Sequence, residues 1–239
     1  FYGWLFGFGY FTTNLYWISI SLTFDENFKF LIPFSIFLLP AFLSLFYGLT
    51  SFLFIIIKPK KIVSSFLTFS LIFGILEFVR GSILTGFPWN LIAFSFSNQL
   101  EFLSMTSIIG TYGLNLFCIS LFVSPAIFIL RDSSKDIGVC IFFFITTAFF
   151  YVYGSSYKDS FYKASKENYT YKIRAIGSNI NIERFYKNID SVSIIKDLIN
   201  ISDTKLKEKT IFVCPEAILP NISKEELIQY SSILKKKFN

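Results

Sequence analysis

Long apolar stretches separated by short polar ones make up the first two thirds of the chain. A helix needs roughly 20 apolar residues to cross the hydrocarbon core of a bilayer. Five stretches meet that length, and we predict membrane spans at residues 1–22, 30–57, 62–79, 102–130 and 137–153. The pattern therefore predicts a polytopic α-helical membrane bundle over residues 1–157.

The pattern changes after residue 157. Residues 158–170 are polar and charged, which is typical of a linker, and residues 171–176 and 210–214 have the β-branched and aromatic content of strands. Between them, an apolar stripe from Val192 to Ile199 follows a possible helix cap at Asp190, and a capping box at Ser223 predicts another helix. Strand, helix, strand, helix indicates a parallel α/β layer, so we expect residues 171–239 to be the first part of an α/β domain.

The loops predict how the bundle is oriented. Basic residues lie at 58–61 and at 131–136, and the positive-inside rule places both loops in the cytoplasm. The loops at 23–29 and 80–90 then lie outside, and the last span delivers everything after residue 153 to the external side. A bacterial periplasm fits this arrangement.

One outward-facing segment carries candidate chemistry. Glu77 and Arg80 are three residues apart, so on a helix they share a face and neutralise each other. A charged residue within a span is a functional candidate by default. The alternative is that a buried pair at a helix end only fixes the packing of helices. Gly86 and Pro88 then break the helix, and irregular backbone near membrane depth needs protein or a cavity beside it. We therefore predict a lipid-accessible pocket here. Trp89 either borders it or is an interfacial anchor.

A second candidate lies in the later half of the chain. Pro215 stops the strand at 210–214, which delivers Glu216 to its carboxyl end. Ligands bind at that edge of open α/β sheets, so Glu216 is a candidate general base. A solvated turn residue is the alternative. Cys214 is expected to be buried in the strand, which argues against a nucleophilic role.

Several classes of chemistry are excluded or disfavoured by composition. The 239 residues contain no His, which rules out Ser-His-Asp and Cys-His catalysis within this sequence. No metal-ligand cluster, CxxC pair or Gly-rich phosphate loop is present, so no metal or cofactor is expected. The net charge of +6 is dispersed, which favours anionic headgroups rather than nucleic acid as the partner. Cys118 and Cys140 are expected to be small core residues.

The combination of TGFPWN at 85–90 with CPEAILP at 214–220 resembles the apolipoprotein N-acyltransferases, membrane-embedded members of the nitrilase superfamily. Further similarity lies at 6–17, 77–84, 110–113 and 178–180. The resemblance implies a nitrilase-like αββα domain and an N-acyltransferase of lipoprotein maturation. It implies transfer of an acyl chain from a phospholipid, through a Cys thioester, to the α-amine of a diacylglyceryl apolipoprotein at the bacterial inner membrane.

The resemblance also implies roles for particular residues. Glu216 matches the family's general base. The family's Lys and nucleophilic Cys lie further downstream, and its members have two earlier spans and one closing span. We therefore expect a fragment that lacks both ends and is inactive by itself. Tyr186 aligns with a functionally important Trp of the family, and Arg80 and Trp89 are expected to border the lipid-entry side. Cys214 departs from the family, which usually has Trp before Pro-Glu.

Three alternatives stay open. A truncated or non-catalytic paralogue that binds lipoproteins would retain Glu216 without the downstream Lys and Cys. A transporter built on the bundle is disfavoured because its spans contain few charges. A nitrilase-type amidase acting on soluble substrates is disfavoured by the spans.

Overall fold

The computed structural model describes residues 1–57, 59–84, 86–164, 171–177, 191–202 and 209–214, together with residues 225, 228, 230 and 231. Internal contacts divide the chain into two units, Phe1–Ser165 and Lys166–Asn239.

The first unit is helical. Its α-helices are α1 (Tyr2–Leu15), α2 (Ile18–Ser21), α3 (Ile32–Ile57), α4 (Ile62–Ser82), α5 (Leu100–Leu103), α6 (Thr106–Val123), α7 (Ala126–Leu130) and α8 (Ile137–Ala164). Short 3-10 helices occupy Glu26–Leu31, Ile92–Phe96 and Ser134–Asp136.

Among the described residues, four helical segments are long and apolar enough to cross a membrane: Glu26–Ile57, Ile62–Ser82, Thr106–Val123 and Ser134–Ala164. They correspond to the second to fifth predicted spans, and the protein is therefore a membrane protein. Many large apolar side chains on these helices are exposed, as expected of surfaces that face lipid. The segment 1–22 is different, because α1 has 14 residues. Its backbone stays right-handed helical through Tyr16 and Trp17 into α2, and a fifth span there stays a prediction.

The predicted span at 102–130 is interrupted in the structure. Gly110 adopts φ +70° and ψ 169° inside α6, a conformation that favours glycine. Pro125, which lacks a backbone N–H, separates α6 from α7. Helix α6 is therefore shorter than the span predicted at 102–130.

The last helix is longer than predicted. α8 continues to Ala164, so residues 158–164 of the predicted linker 158–170 are helical. A contact with α5 accounts for this extension. A Cβ at Gly154 would lie 1.7 Å from the backbone oxygen of Glu101, and Lys158 Nζ donates to Glu101 Oε1 at 2.6 Å. The two helices thus pack with their backbones in contact, and an ion pair closes the contact.

Small residues bring α1 and α3 together. A Cβ on Gly7 would lie 2.9 Å from Tyr47 Cβ, and one on Gly3 would lie 2.0 Å from Ser51 Oγ. Small residues at a helix contact let two membrane helices approach closely, which explains the glycines at these positions. The core beside this contact contains Phe11, Leu15, Leu43, Tyr47, Phe73 and Ile119.

The second unit contains two parallel strands and a helix. β1 (Lys172–Ala175) pairs with β2 (Thr210–Val213), with Lys172 opposite Thr210 and Ala175 opposite Val213. α9 (Ser191–Ser202) packs Ile194 and Leu198 against Ile176, with Phe212 beside them. The predicted strand–helix–strand order is confirmed. The predicted helix after Ser223 lies mostly outside the described residues.

The prediction that Cys214 is buried in a strand is wrong. β2 ends at Val213, and Cys214 is exposed. In the part of the chain that the structure describes, α9 covers one face of the two-stranded sheet. Ile211 and Val213, on the other face, are about half exposed.

Candidate functional site

The site begins with a buried ion pair at the carboxyl end of α4. Glu77 and Arg80 are 1% and 2% exposed. Arg80 Nε donates to Glu77 Oε1 at 3.1 Å and Nη2 donates to Oε2 at 2.8 Å, which is a bidentate contact. The spacing of three on one helix face predicted this pair, and the structure confirms it.

Arg80 also holds the segment that follows α4. Its Nη1 donates to the carbonyl oxygen of Phe87 at 2.6 Å and to that of Trp89 at 3.0 Å. The backbone N–H of Phe87 in turn donates to the Arg80 carbonyl oxygen at 3.1 Å. Four of the five guanidinium N–H donors are therefore used within the protein. The pair thus fixes the path of residues 86–90, a role that spacing did not predict.

Aromatic side chains enclose the pair. The guanidinium carbon of Arg80 lies 5.2 Å from the centroid of the Phe11 ring, close enough for a cation–π contact. Tyr10 stacks on Tyr47 at 5.8 Å and donates its hydroxyl proton to the Asn90 carbonyl oxygen at 2.9 Å. Three of the carbonyl oxygens in the segment 87–90 consequently have side-chain donors from α1 or α4.

The backbone of this segment adopts unusual conformations. Leu84 and Asn90 both have φ near +57°, and Gly86 has φ +73°. Left-handed conformations cost energy for residues with a Cβ and persist where the surroundings hold them. Tyr112 constrains the same place, since a Cβ on Gly81 would lie 1.9 Å from its hydroxyl oxygen.

A groove of about 530 Å³ lies beside the segment, where the sequence predicted a pocket. Its lining is largely apolar and consists of Pro88, Trp89, Asn90, Leu91, Phe94, Thr111 and Tyr112. Trp89 is half exposed and stacks on Trp17 at 5.4 Å. The groove has the size of a small-molecule site, for which about 300–1,000 Å³ is usual. An apolar lining with a few polar atoms suits an acyl chain and its ester.

Sequence reasoning missed one supporting residue. Asn115 is fully buried in α6, and its Oδ1 accepts a hydrogen bond from the backbone N–H of Ala93 at 3.0 Å. This bond ties the 3-10 helix Ile92–Phe96, which continues one wall of the groove, to a span. An amide within an apolar helix is the signal that points to such a role.

Two predicted site residues, Glu216 and Tyr186, lie outside the described residues. The structure describes β2 up to Val213 and then Cys214. The place of Glu216 after that strand therefore stays a prediction, as does the aromatic role of Tyr186. Of the predicted site residues, Arg80 and Trp89 are brought together by the structure.

Comparison with known proteins gives the family of the chain. The model of the apolipoprotein N-acyltransferase N-terminal domain matches residues 1–124. An apolipoprotein N-acyltransferase of Rhodopseudomonas palustris is 39% identical over 129 residues, which are 53% of this chain and 24% of the relative. One of Rickettsia prowazekii is 40% identical over 119 residues, 49% of this chain and 24% of the relative.

The similarity extends into the second unit. An apolipoprotein N-acyltransferase of Brucella melitensis is 27% identical over 226 residues, 92% of this chain and 42% of the relative. The chain therefore spans from about a quarter to about two fifths of the length of these relatives.

Proposed function

This chain belongs to the apolipoprotein N-acyltransferase family, and we propose from that membership that it forms part of an enzyme that N-acylates lipoproteins. The acyl donor is a phospholipid and the acceptor is the α-amine of the diacylglyceryl-cysteine at a lipoprotein amino terminus. Relatives that carry this enzyme's name support lipoprotein N-acylation at the level of the family.

The observation that carries the proposal is the groove beside residues 86–91. It lies within the segment that the family model matches, at the end of a candidate membrane span. Its lining is apolar, and Arg80 and Tyr10 fix its rim through three backbone carbonyl oxygens. We assign this groove to the entering phospholipid, with Trp89 touching its acyl chains. Arg80, which is almost fully buried, acts by positioning Trp89.

The β1–α9–β2 unit is proposed to be the first part of a nitrilase-like αββα domain. Glu216, which follows β2 in the sequence, is the proposed general base. It takes the proton of a Cys thiol, and the sulfur attacks the ester carbonyl carbon of the phospholipid. The C–O bond breaks, the leaving alkoxide receives the proton, and a thioester remains.

A second transfer completes the reaction. Glu216 takes a proton from the lipoprotein amine as its nitrogen attacks the thioester carbon, and the C–S bond breaks to release the thiolate, which recovers the proton. A Lys stabilises the oxyanion in both steps. The Lys and the Cys that the family uses lie further downstream, and Tyr186 is the proposed counterpart of the family's functionally important Trp.

A membrane location suits this chemistry. Both substrates are anchored by acyl chains, and extraction into water would cost about 0.8 kcal/mol for each CH₂ group. The basic loops at 58–61 and 131–136 favour the cytoplasmic side, so we propose that the groove and the second unit face the periplasm from the inner membrane.

The test uses the longest polypeptide that the gene encodes, with Glu216→Gln compared to wild type. Membranes receive a phospholipid with a labelled acyl chain, and the labelled thioester is quantified after denaturation. We expect the thioester to disappear in the variant while the protein stays inserted in the membrane. Glu225→Gln, which changes an exposed carboxylate of the same unit, is the matched control and should behave as wild type.

Two outcomes would reject the assignment. One is a wild-type amount of thioester in Glu216→Gln. The other is a gene that encodes no Lys and no Cys downstream of Glu216, which would favour a non-catalytic paralogue.

A further inference from the structure

A second groove lies at the opposite end of α4 from the Glu77–Arg80 pair. Its volume is about 340 Å³, and its lining is almost entirely apolar. The walls come from the end of α3, the start of α4, the end of α6 and part of α7; they include Phe54, Ser65, Phe69, Val123, Ile127 and Leu130. We call this the basic-end groove, because the loops at 58–61 and 131–136 flank it in the sequence.

The packing around the groove is well defined. Phe54 of α3 meets Phe69 of α4 edge to face at 5.3 Å, which bounds the groove between these helices. Phe66 and Ile127, which also line it, belong to a buried cluster with Cys140 and Phe143 of α8. The groove reaches from Ile62 to Phe69 along α4, a length of about 10 Å at 1.5 Å per residue. A flexible chain entering from the end of the bundle would thus be covered by protein on several sides.

Cations border the entrance. Lys61 directly precedes Ile62, the first lining residue of α4, and Arg131 directly follows Leu130, the last lining residue of α7. Ser65 Oγ donates to the Pro59 carbonyl oxygen at 2.7 Å, which ties the turn carrying Lys60 to α4.

These cations are available for an anion. The salt bridges formed within the described part of the chain are Lys29–Glu26, Arg80–Glu77 and Lys158–Glu101, so Lys60, Lys61 and Arg131 have no carboxylate partner there. The two acidic residues of the flanking loop are Asp132 and Asp136. The carboxylate of Asp136 accepts the backbone N–H groups of Asp132 and Ser133, which holds it within its own loop.

We propose that the basic-end groove binds a phospholipid with an anionic headgroup. One acyl chain occupies the apolar groove between α3, α4 and α7, and the phosphate-bearing headgroup lies among Lys60, Lys61 and Arg131. A hydrophobic slot alone would accept any lipid, whereas the unpaired cations at its mouth select negative charge. This site lies at the other end of α4 from the groove proposed for the acyl donor, and it holds a resident lipid.

The test reconstitutes the full-length protein into phosphatidylcholine vesicles. Either phosphatidylglycerol or phosphatidylcholine carrying a photoactivatable acyl chain is included at equal amounts. After illumination, labelled peptides are identified by mass spectrometry, which distinguishes this groove from the one beside Trp89. We expect labelling at the end of α3, the start of α4 and α7, stronger with phosphatidylglycerol by at least tenfold.

Two variants separate the contributions of charge and shape. Combined Lys60→Gln, Lys61→Gln and Arg131→Gln should abolish the preference, since each cation near an anionic surface contributes about fivefold to binding. Ala126→Trp fills the groove from an exposed lining position and should remove the labelling. Ile129→Trp, on the same helix but outside the lining, and Lys29→Gln are the matched controls and should label as wild type.

The proposal is overturned if phosphatidylcholine labels these peptides as strongly as phosphatidylglycerol. It is also overturned if Ala126→Trp leaves the labelling unchanged, or if labelled peptides come from the region of Trp89 alone.

Discussion

Replacing Arg80 by Met tests whether the buried pair holds the segment 86–90. The substitution keeps a long side chain but removes the charge and every hydrogen bond of the guanidinium. Glu77, 1% exposed, then loses its bidentate partner, and the carbonyl oxygens of Phe87 and Trp89 lose their donors.

The size of the effect follows from this geometry. Removing one member of a buried ion pair costs about 3–5 kcal/mol, because the remaining charge is uncompensated. The two carbonyl oxygens add little to that figure, because the released segment can turn toward water. With about 2–4 °C per kcal/mol for a chain of this size, the melting temperature should fall by roughly 6–20 °C.

The assay is thermal unfolding of the detergent-solubilised protein, followed by circular dichroism. Hydrogen exchange of peptides covering residues 86–92 gives a local measurement. In the wild type the Phe87 N–H donates to the backbone carbonyl oxygen of residue 80. Arg80→Met should speed exchange there, because a segment no longer held by the guanidinium would open this bond more often. Lys29→Met breaks an exposed pair with Glu26 and is the control, with an expected loss of about 0–1 kcal/mol.

The double variant Glu77→Leu, Arg80→Met gives a sharper test. With no buried charge left, most of the stability should return, while the segment 86–90 should still exchange faster because the carbonyl oxygens of Phe87 and Trp89 lack their donors. An Arg80→Met melting temperature within about 2 °C of wild type, with unchanged exchange at 86–92, would show that the buried pair does not hold this segment.

Two further predictions concern the contact between α5 and α8. Gly154→Ala should lower the free energy of unfolding by about 1–3 kcal/mol in thermal unfolding, because its Cβ would lie 1.7 Å from the Glu101 backbone oxygen. Gly138→Ala is the control and should be neutral or slightly stabilising, because a Cβ there would meet open space. Equal effects of the two substitutions would contradict the close contact of α5 and α8. The hydrogen bond from Lys158 lowers the pKa of Glu101, which lies between two spans. The ion pair therefore stabilises the folded state above the unfolded pKa of Glu101, about 4.3, and this stabilisation is lost as the pH falls through the lower pKa of the folded state. Lys158→Gln should remove this part of the dependence of unfolding free energy on pH. An unchanged dependence on pH would contradict the pairing.

Much of the fold follows from the hydrophobic pattern. The apolar segments at 30–57, 62–79 and 137–153 lie within helices that are long enough to span a membrane. The strand–helix–strand order of the second unit also follows from local pattern, because alternation and an amphipathic stripe are properties of neighbouring residues. The Glu77–Arg80 pair was predictable for the same reason, since both residues lie on one helix face.

Long-range contacts account for what the pattern missed. The extension of α8 depends on Gly154 and Lys158 meeting Glu101, more than 50 residues earlier in the chain. The role of Arg80 in holding the carbonyl oxygens of Phe87 and Trp89 depends on a turn whose path spacing alone does not give. Exposure of Cys214 was missed because an apolar strand pattern does not reveal how much of a sheet is covered.

Transfer of a single acyl chain to a lipoprotein amine tests most directly whether the protein is an N-acyltransferase. The full-length protein, in detergent micelles with a phospholipid labelled in one acyl chain, is given a synthetic peptide that begins with diacylglyceryl-cysteine, and the product is analysed by mass spectrometry. We predict that the peptide gains one labelled acyl group in amide linkage at its α-amine, and that a peptide with a blocked amine gains none. A full-length protein that binds both lipids yet leaves the free amine unmodified would contradict the proposed N-acyltransferase activity.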